Sequence, residues 1–326
     1  MRTLFAPEHG LEGTFDAGVR VPHSEHAGLP VFSLFGETKR PTPEMLHGID
    51  TLVYDIQDVG ARPYTYVSTL AEVLRAGAEH GLRVVVLDRP SPSDGVTVEG
   101  PVLEERFRSF VGAGPLALRY AMTIGEVARF LNVADRIGAE LHVAPVDGWR
   151  RRWWYDETGL RWVAPSPNVR SLTAAALYPG TVLLEGTTLS EGRGTSMPFE
   201  WAGAPWLDGA RWAERLNAFE LHGVSFHAAE VTPSASKFAG VRCGGVRVAI
   251  IERPPFRAVL TALALIVTAR ELAPREFAFN ERFDQLAGTD SLRRALADGR
   301  TPEQIAASWE DEHARFAAQR ERVLLY

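Results

Sequence analysis

Short apolar runs, each stopped by a glycine, a proline or an acid, alternate with amphipathic stretches through the first half of the chain. Leu4-Phe5-Ala6, Val31 to Phe35, Thr51 to Ile56, Leu82 to Leu87 and Leu141 to Val146 read as strands. The near-continuous apolar character of the Thr51 and Leu82 strands predicts burial on both faces. Val67 to His80 has helical spacing through Leu70, Val73, Leu74 and Ala78, with Gly81 as its C-terminal stop. Met122 to Val133 is a second helix, capped at Thr123 with Glu126 three residues on. Thr42-Pro43-Glu44 reads as the start of a short helix. Strand, helix and strand in this order predict an α/β unit with a parallel sheet and helical crossovers. Ser91 to Ser109 is a Pro/Gly-rich excursion with no predicted element.

The character changes at Pro165-Ser166-Pro167-Asn168, a rigid linker that divides residues 1–164 from residues 165–326. Beyond it a helix is predicted over Asp208 to Phe219 and strands over Val224 to Val231 and Gly245 to Ile251. Helices follow at Phe256 to Leu272, Leu292 to Asp298 and Thr301 to Arg320, which makes the second half a smaller α+β unit.

Composition adds exclusions. Hydrophobic residues at 45% and charged residues at 23% are ordinary for a globular chain with a real core. A net charge of −6 argues against binding a nucleic-acid backbone, so Arg150 to Tyr155 reads as a cationic turn beside packed tryptophans. Lysine occurs only at Lys39 and Lys237; the many arginines suit bidentate recognition of carboxylates. Cys243 is the single cysteine and falls in an apolar strand, so neither a disulfide framework nor a cysteine zinc site is expected. No stretch approaches the ~18 apolar residues of a transmembrane helix. Met1 leads straight into the first strand, which reads as cytoplasmic as it stands, or as secreted or periplasmic if a signal peptide precedes it.

Candidate chemistry gathers where strands end, the edge of an open α/β sheet at which ligands bind. Glu8-His9, Asp55 to Asp58 and Asp88-Arg89 each follow an apolar strand, and in one parallel sheet they would line one cleft. A loop as long and polar as Gly10 to Ala27, with Asp16, is more often functional than idle. Paired carboxylates across a cleft suit acid–base chemistry at an acetal carbon. Glu8 is the better acid, because Phe5, Pro7 and Leu11 offer apolar surroundings that favour the protonated form, and His9 can orient it. Tyr64 and Tyr66 offer the flat faces and hydroxyls of a sugar site, and Arg62 is a candidate partner for Asp55. Glu185, Glu191 and Arg193 sit on glycine-flanked loops that can approach a ligand. Three other chemistries lack their motifs: no Gly-x-Gly-x-x-Gly follows a strand, and neither Gly-x-Ser-x-Gly nor His-Glu-x-x-His occurs. His9, Asp55, Asp58 and Asp88 match no stereotyped metal-ligand spacing, and no cofactor is expected.

Several of these segments resemble, in consistent order, the motifs of one bacterial family. They are Phe5-Ala6-Pro7-Glu8-His9-Gly10, Tyr54 to Gly60 with Arg62 and Tyr64-Thr65-Tyr66, Leu87-Asp88-Arg89-Pro90, and Pro165 to Asn168. The pattern continues through Tyr178-Pro179-Gly180, Leu184 to Thr187, Glu191 to Thr195 and Gly203 to Trp206, and is looser beyond. The family is that of NamZ-type exo-β-N-acetylmuramidases, long filed as a domain of unknown function. The resemblance implies a Rossmann-like first domain that binds no dinucleotide, a smaller second domain, and an active cleft between them. It also implies release of N-acetylmuramic acid from the non-reducing end of peptidoglycan fragments. The family's proposed acid falls on Glu8, and the partner carboxylate on Asp58, Asp16 or Glu185. His9, Asp16, Asp55, Gln57, Arg62, Tyr64, Tyr66, Asp88, Arg89, Asn168, Glu191 and Arg193 are the candidate substrate contacts, with Arg62 or Arg193 suited to the substrate's lactyl carboxylate. The family pattern carries a further strand–helix unit before the first motif. A chain starting at Met1 is expected to show an open sheet edge there. A non-catalytic binding protein for peptidoglycan fragments is the alternative reading, and a metal-dependent amidase or deacetylase a third.

Overall fold

The computed structural model describes residues 1–326. The first half opens with β1 (Leu4–Ala6), β2 (Ser24–His26) and β3 (Leu29–Ser33). There follow β4 (Thr51–Tyr54), α1 (Thr65–His80), β5 (Arg83–Leu87), β6 (Glu99–Val102), β7 (Ala117–Arg119), α2 (Ile124–Ala134) and β8 (Glu140–Ala144). β4, β5 and β8 form a parallel sheet in that order. β1 pairs in parallel with β3, and β2 adds to β3 antiparallel. The strand ends expected on one sheet edge therefore belong to two sheets. Between β1 and β4 lies a cavity of about 1190 Å³ lined by Leu4, Phe5, Leu52, Val53 and Tyr54. Val53 lines this cavity and is 61% exposed, so β4 is covered on one face only, not on both.

Local chemistry explains most of these elements. α1 buries Tyr66, Val67, Leu70, Ala71, Val73 and Leu74, and ends where Gly81 adopts a left-handed φ of 64°. Thr123 and Glu126 close the capping box that starts α2. The helix expected after Thr42 is a single turn, with Leu46 N bonded to Thr42 O at 3.1 Å; the left-handed Gly48 stops it.

The second half comprises α3 (Leu172–Thr181), β9 (Trp201–Ala204), α4 (Gly209–Asn217), β10 (Val224–Val231), β11 (Cys243–Ile250) and α5 (Ala258–Leu272). α6 (Arg282–Ala287), α7 (Ser291–Ala297), α8 (Pro302–Ala307) and α9 (Glu310–Arg320) complete it. β11 is central to an antiparallel sheet with β10 and β9 on either side. α8 and α9 replace the single helix expected from Thr301, the chain breaking at Ser308-Trp309. α3 is unforeseen because it contains Pro179 and Gly180. That glycine is what lets α3 meet α5: a Cβ there would stand 2.0 Å from the Ala258 carbonyl oxygen.

The main core belongs to the second half but takes in Val59, Ala61, Tyr64 and Tyr66. The core of the first half takes in Phe316 and Val323. The C-terminus returns to the first sheet, where Arg129 donates to the Val323 carbonyl and Tyr326 to Asp88. The linker thus divides the chain but not the packing, and the two halves are interlocked around the loops that follow β1 and β4. No helix is long and apolar enough to cross a membrane.

Candidate active site

β1 delivers Glu8 and His9. His9 and Gly10 both take left-handed φ values, 73° and 78°, and the turn they make buries both side chains beneath the following loop. His9 Nδ1 lies 2.7 Å from the Phe15 carbonyl oxygen. A carbonyl only accepts, so Nδ1 carries the proton and Nε2 keeps its lone pair. Burial lowers the His9 pKa, against the Phe15 hydrogen bond and the Glu8 charge that raise it, which favours the neutral ring. Glu8 Oε1 accepts from the Gly18 amide at 2.6 Å and Oε2 from the Thr65 hydroxyl at 2.5 Å. The apolar surroundings expected for Glu8 are replaced by two donors, and Leu11 is exposed.

An aromatic ladder leads from this turn into the second half. His9 lies 6.4 Å from Tyr64, Tyr64 5.5 Å from Tyr178, and Tyr178 4.8 Å from Phe199. Tyr66 packs against both His9 and Tyr64 and donates to the Pro165 carbonyl at 2.6 Å. The Tyr64 hydroxyl is buried without a hydrogen-bond partner. Burial holds the Tyr178 phenol well above its usual pKa, with Glu185 and Glu8 adding to the effect. Both carboxylates therefore act on one side chain.

Phe199 carries the Arg193 guanidinium at 4.8 Å from its ring centre. Arg193 Nη1 is shared between Glu185 at 2.8 Å and Glu191 at 2.9 Å. Arg282 reaches Glu185 at 3.4 Å, and Lys237 reaches Glu191 at the same distance while donating to the carbonyls of Leu184, Thr187 and Leu189. Burial pushes the Glu191 pKa up, but Lys237 and Arg193 outweigh it and hold it below the usual range. His9 senses the Arg193 charge as well as that of Glu8. The structure thus brings together Glu8, His9, Tyr64, Tyr66, Glu185, Glu191 and Arg193.

Other predicted residues are engaged elsewhere. Asp58 is buried, with Oδ2 accepting from the Gly60 amide at 2.7 Å and from the Tyr120 hydroxyl. Burial raises its pKa to about 6, against the donors from Tyr120, Gly60 and Val59. Asp55 pairs with Arg89 at 2.5 Å, not with Arg62. Arg62 is fully buried and donates to the Leu286 and Ala287 carbonyls, tying the loop after β4 to α6. Asp88 accepts from Thr123, Gly125 and Tyr326, which makes it a seat for α2 and the C-terminus. Gln57 pins its loop to the Pro90 carbonyl at 3.0 Å. Asn168 is buried beside the linker. Asp16 is exposed on the loop over His9 and contributes to the field at that ring.

Thr65, Gly18, Tyr178 and Lys237 were not read from the sequence as site residues. For Lys237 a signal existed, since it is one of two lysines in the chain. Thr65 lies within the Tyr64-Thr65-Tyr66 motif but its role depends on where α1 begins, and Gly18 carries no signal because its role comes from how the loop folds over Glu8.

The family description "Exo-beta-N-acetylmuramidase NamZ, N-terminal" matches residues 1–173, and its C-terminal counterpart matches residues 176–326. The chain is 44% identical over 330 residues to the peptidoglycan beta-N-acetylmuramidase NamZ of Bacillus subtilis (strain 168), spanning all of this chain and 80% of that protein. Two crystal structures of DUF1343 family proteins from Bacteroides fragilis NCTC 9343 superpose over all of this chain and 86% of theirs. One has a TM-score of 0.91 at 32% identity, the other 0.79 at 29%. Motifs, fold and full-length similarity agree, and the chain belongs to the NamZ family of exo-β-N-acetylmuramidases.

Proposed function

We propose that this chain is a glycoside hydrolase that releases N-acetylmuramic acid from the non-reducing end of peptidoglycan fragments, with Glu8 as its general acid. The observation that carries the assignment of Glu8 is its position. It is buried next to His9, from which the aromatic ladder through Tyr64, Tyr178 and Phe199 leads to Arg193 and its partner Glu185 in the second half.

In this reading Glu8 gives its proton to the glycosidic oxygen as the bond from that oxygen to the anomeric carbon breaks. The Glu185 carboxylate serves the opposite face of the sugar, where water supplies the incoming hydroxyl. Arg193 and Arg282 hold Glu185 in place. The Thr65 hydroxyl fixes one Glu8 oxygen, and the Gly18 amide covers the other until the sugar displaces it. Neutral His9 supports the loop through its Nδ1 hydrogen bond to the Phe15 carbonyl. Tyr64 and Tyr66 are buried in the core and back the His9 ring, so they position the turn and do not offer the sugar face expected of them.

The test is turnover of a chromogenic β-N-acetylmuramide by the wild type, Glu8→Gln and Glu185→Gln. Removing a general acid is expected to lower the rate about 10²- to 10⁴-fold. A Glu8→Gln variant that folds and turns over like the wild type would remove Glu8 from the mechanism. The non-catalytic alternative predicts that the wild type binds N-acetylmuramic acid without any turnover.

A further inference from the structure

N-acetylmuramic acid differs from N-acetylglucosamine by a lactyl ether that ends in a carboxylate, so a site selective for it needs a free cation near the acid. Most other basic side chains of the candidate site and its flanking loops are already engaged. Arg62 is buried against carbonyls, Arg193 is divided between two glutamates, Arg89 is paired with Asp55, and Lys237 is enclosed with Glu191.

Lys39 is different. It is half-buried, forms no ion pair with any carboxylate within 4.0 Å, and rests its ammonium 3.0 Å above the Phe35 ring and 4.7 Å from that of Phe110. The fold places this seat beside Glu8. β1 and β3 run parallel in register, and the Leu34 amide donates to the Ala6 carbonyl at 2.8 Å just past their ends. Glu8 stands two residues beyond β1, and Phe35 two residues beyond β3. Adjacent strands lie ~4.8 Å apart. The second ring is fixed to the same helix as Glu8. Ser68 donates to the Phe110 carbonyl at 2.7 Å, one turn along α1 from Thr65, which holds Glu8. Glu8 and Arg20 are the charges that bear on the Lys39 ammonium, and burial on its aromatic seat draws its pKa down. Arg20 itself is exposed.

We propose that Lys39, seated on Phe35 and Phe110, binds the lactyl carboxylate of the terminal N-acetylmuramic acid and sets selectivity for that sugar. The inference rests on the muramidase reading above and adds the residue that recognises the substrate's charge. An ammonium partly desolvated by aromatic faces and unpaired with protein carboxylates is ready to take an anionic ligand.

Steady-state kinetics of wild type, Lys39→Met, Lys39→Arg and Arg20→Met on a chromogenic β-N-acetylmuramide test the proposal. Competitive inhibition by free N-acetylmuramic acid and by its neutral lactyl methyl amide completes it. Lys39→Met is expected to lower kcat/KM about 10- to 100-fold, mostly through KM. It should weaken inhibition by the acid while leaving inhibition by the amide unchanged. Lys39→Arg should recover part of the loss, with melting temperatures close to wild type throughout. The proposal is overturned if Lys39→Met matches the wild type, if it weakens acid and amide equally, or if Arg20→Met alone shows the selective loss. A wild type that turns over no β-N-acetylmuramide defeats the muramidase reading and this role with it. A wild type that does so, with Lys39→Met its equal, defeats the Lys39 role alone.

Discussion

Thr65, the first residue of α1, donates its hydroxyl to Glu8 Oε2 at 2.5 Å across 57 positions of sequence. The bond joins the two strand units of the first half at the acid itself, so the orientation of Glu8 depends on where α1 starts. Thr65→Val keeps the shape and removes the donor, leaving a buried oxygen without its partner. The expected result is a fall in kcat/KM of about 10-fold, carried by kcat, with the melting temperature lowered only slightly. A Thr65→Ser variant, which restores the hydroxyl, should recover most of the activity. Equal rates for Thr65→Val and wild type on the chromogenic muramide would show that the bond does not position the acid.

His9 supplies a pH dependence of stability whose sign follows from its burial. Its pKa in the folded chain is lowered from 6.5, so the unfolded chain binds the proton more readily. Its contribution is therefore complete above pH 6.5 and is lost as pH falls below that value, with a slope of at most about 1.4 kcal/mol per pH unit. His9→Asn removes the titration while suiting the left-handed backbone at this position. Denaturant midpoints measured from pH 7.5 down to pH 4.5 should decline less steeply for this variant than for the wild type.

Asp58 acts in the opposite direction over an overlapping window. Burial raises its folded pKa from 3.8 to about 6, so its contribution is complete below pH 3.8 and is lost as pH rises through 6. The cost above that pH is on the order of 3 kcal/mol. Asp58→Asn retains an acceptor for the Gly60 amide and removes the buried charge. It should be more stable than the wild type at pH 7.5, with the advantage vanishing near pH 4. The same variant separates the candidate carboxylates, because turnover within a few-fold of wild type, beside inactive Glu185→Gln, assigns the second carboxylate to the loop before Arg193.

Legibility in the sequence followed the range of the interactions. β10 coincides with its predicted span, and α2, α4, α5 and β8 agree within one or two residues at most boundaries, because local patterns and caps such as Thr123 and Glu126 determine them. The pairing of β1 with β3 was not legible, since register is decided by contacts between strands. Nor was α3, where Pro179 and Gly180 read as punctuation while the close approach to α5 requires the glycine. At the site, acids at strand ends were readily picked out, but the pattern could not sort them. Asp55, Asp58 and Asp88 look like Glu8 in sequence, and only the fold shows that they answer to Arg89, Tyr120 and Tyr326.

The two halves are held together by a second buried carboxylate, Glu99, and breaking it should separate stability from chemistry. Glu99 Oε1 takes Arg119 Nη1 at 2.8 Å, while its two oxygens accept from the Ala258 and Val259 amides at 3.0 Å and 2.9 Å. β6 of the first half thereby caps the N-terminus of α5 in the second, where a negative charge is favoured by the exposed amides and the helix dipole. Arg119 also holds Asp94 at 2.7 Å, so one arginine serves two carboxylates, both largely buried. Glu99→Ala leaves Arg119 with a single partner and two helix amides with none. Removing one member of a buried pair typically costs about 3–5 kcal/mol. Chemical unfolding should then show a midpoint lowered accordingly, with the transition broadening if the halves come apart separately. At temperatures where the variant remains folded, its kcat on the chromogenic muramide should stay close to wild type, since Glu99 touches none of Glu8, Glu185 or Lys39. An unchanged midpoint would mean that interlocked packing around Tyr64, Tyr178 and the returning C-terminus is enough to hold the halves without the ionic cap.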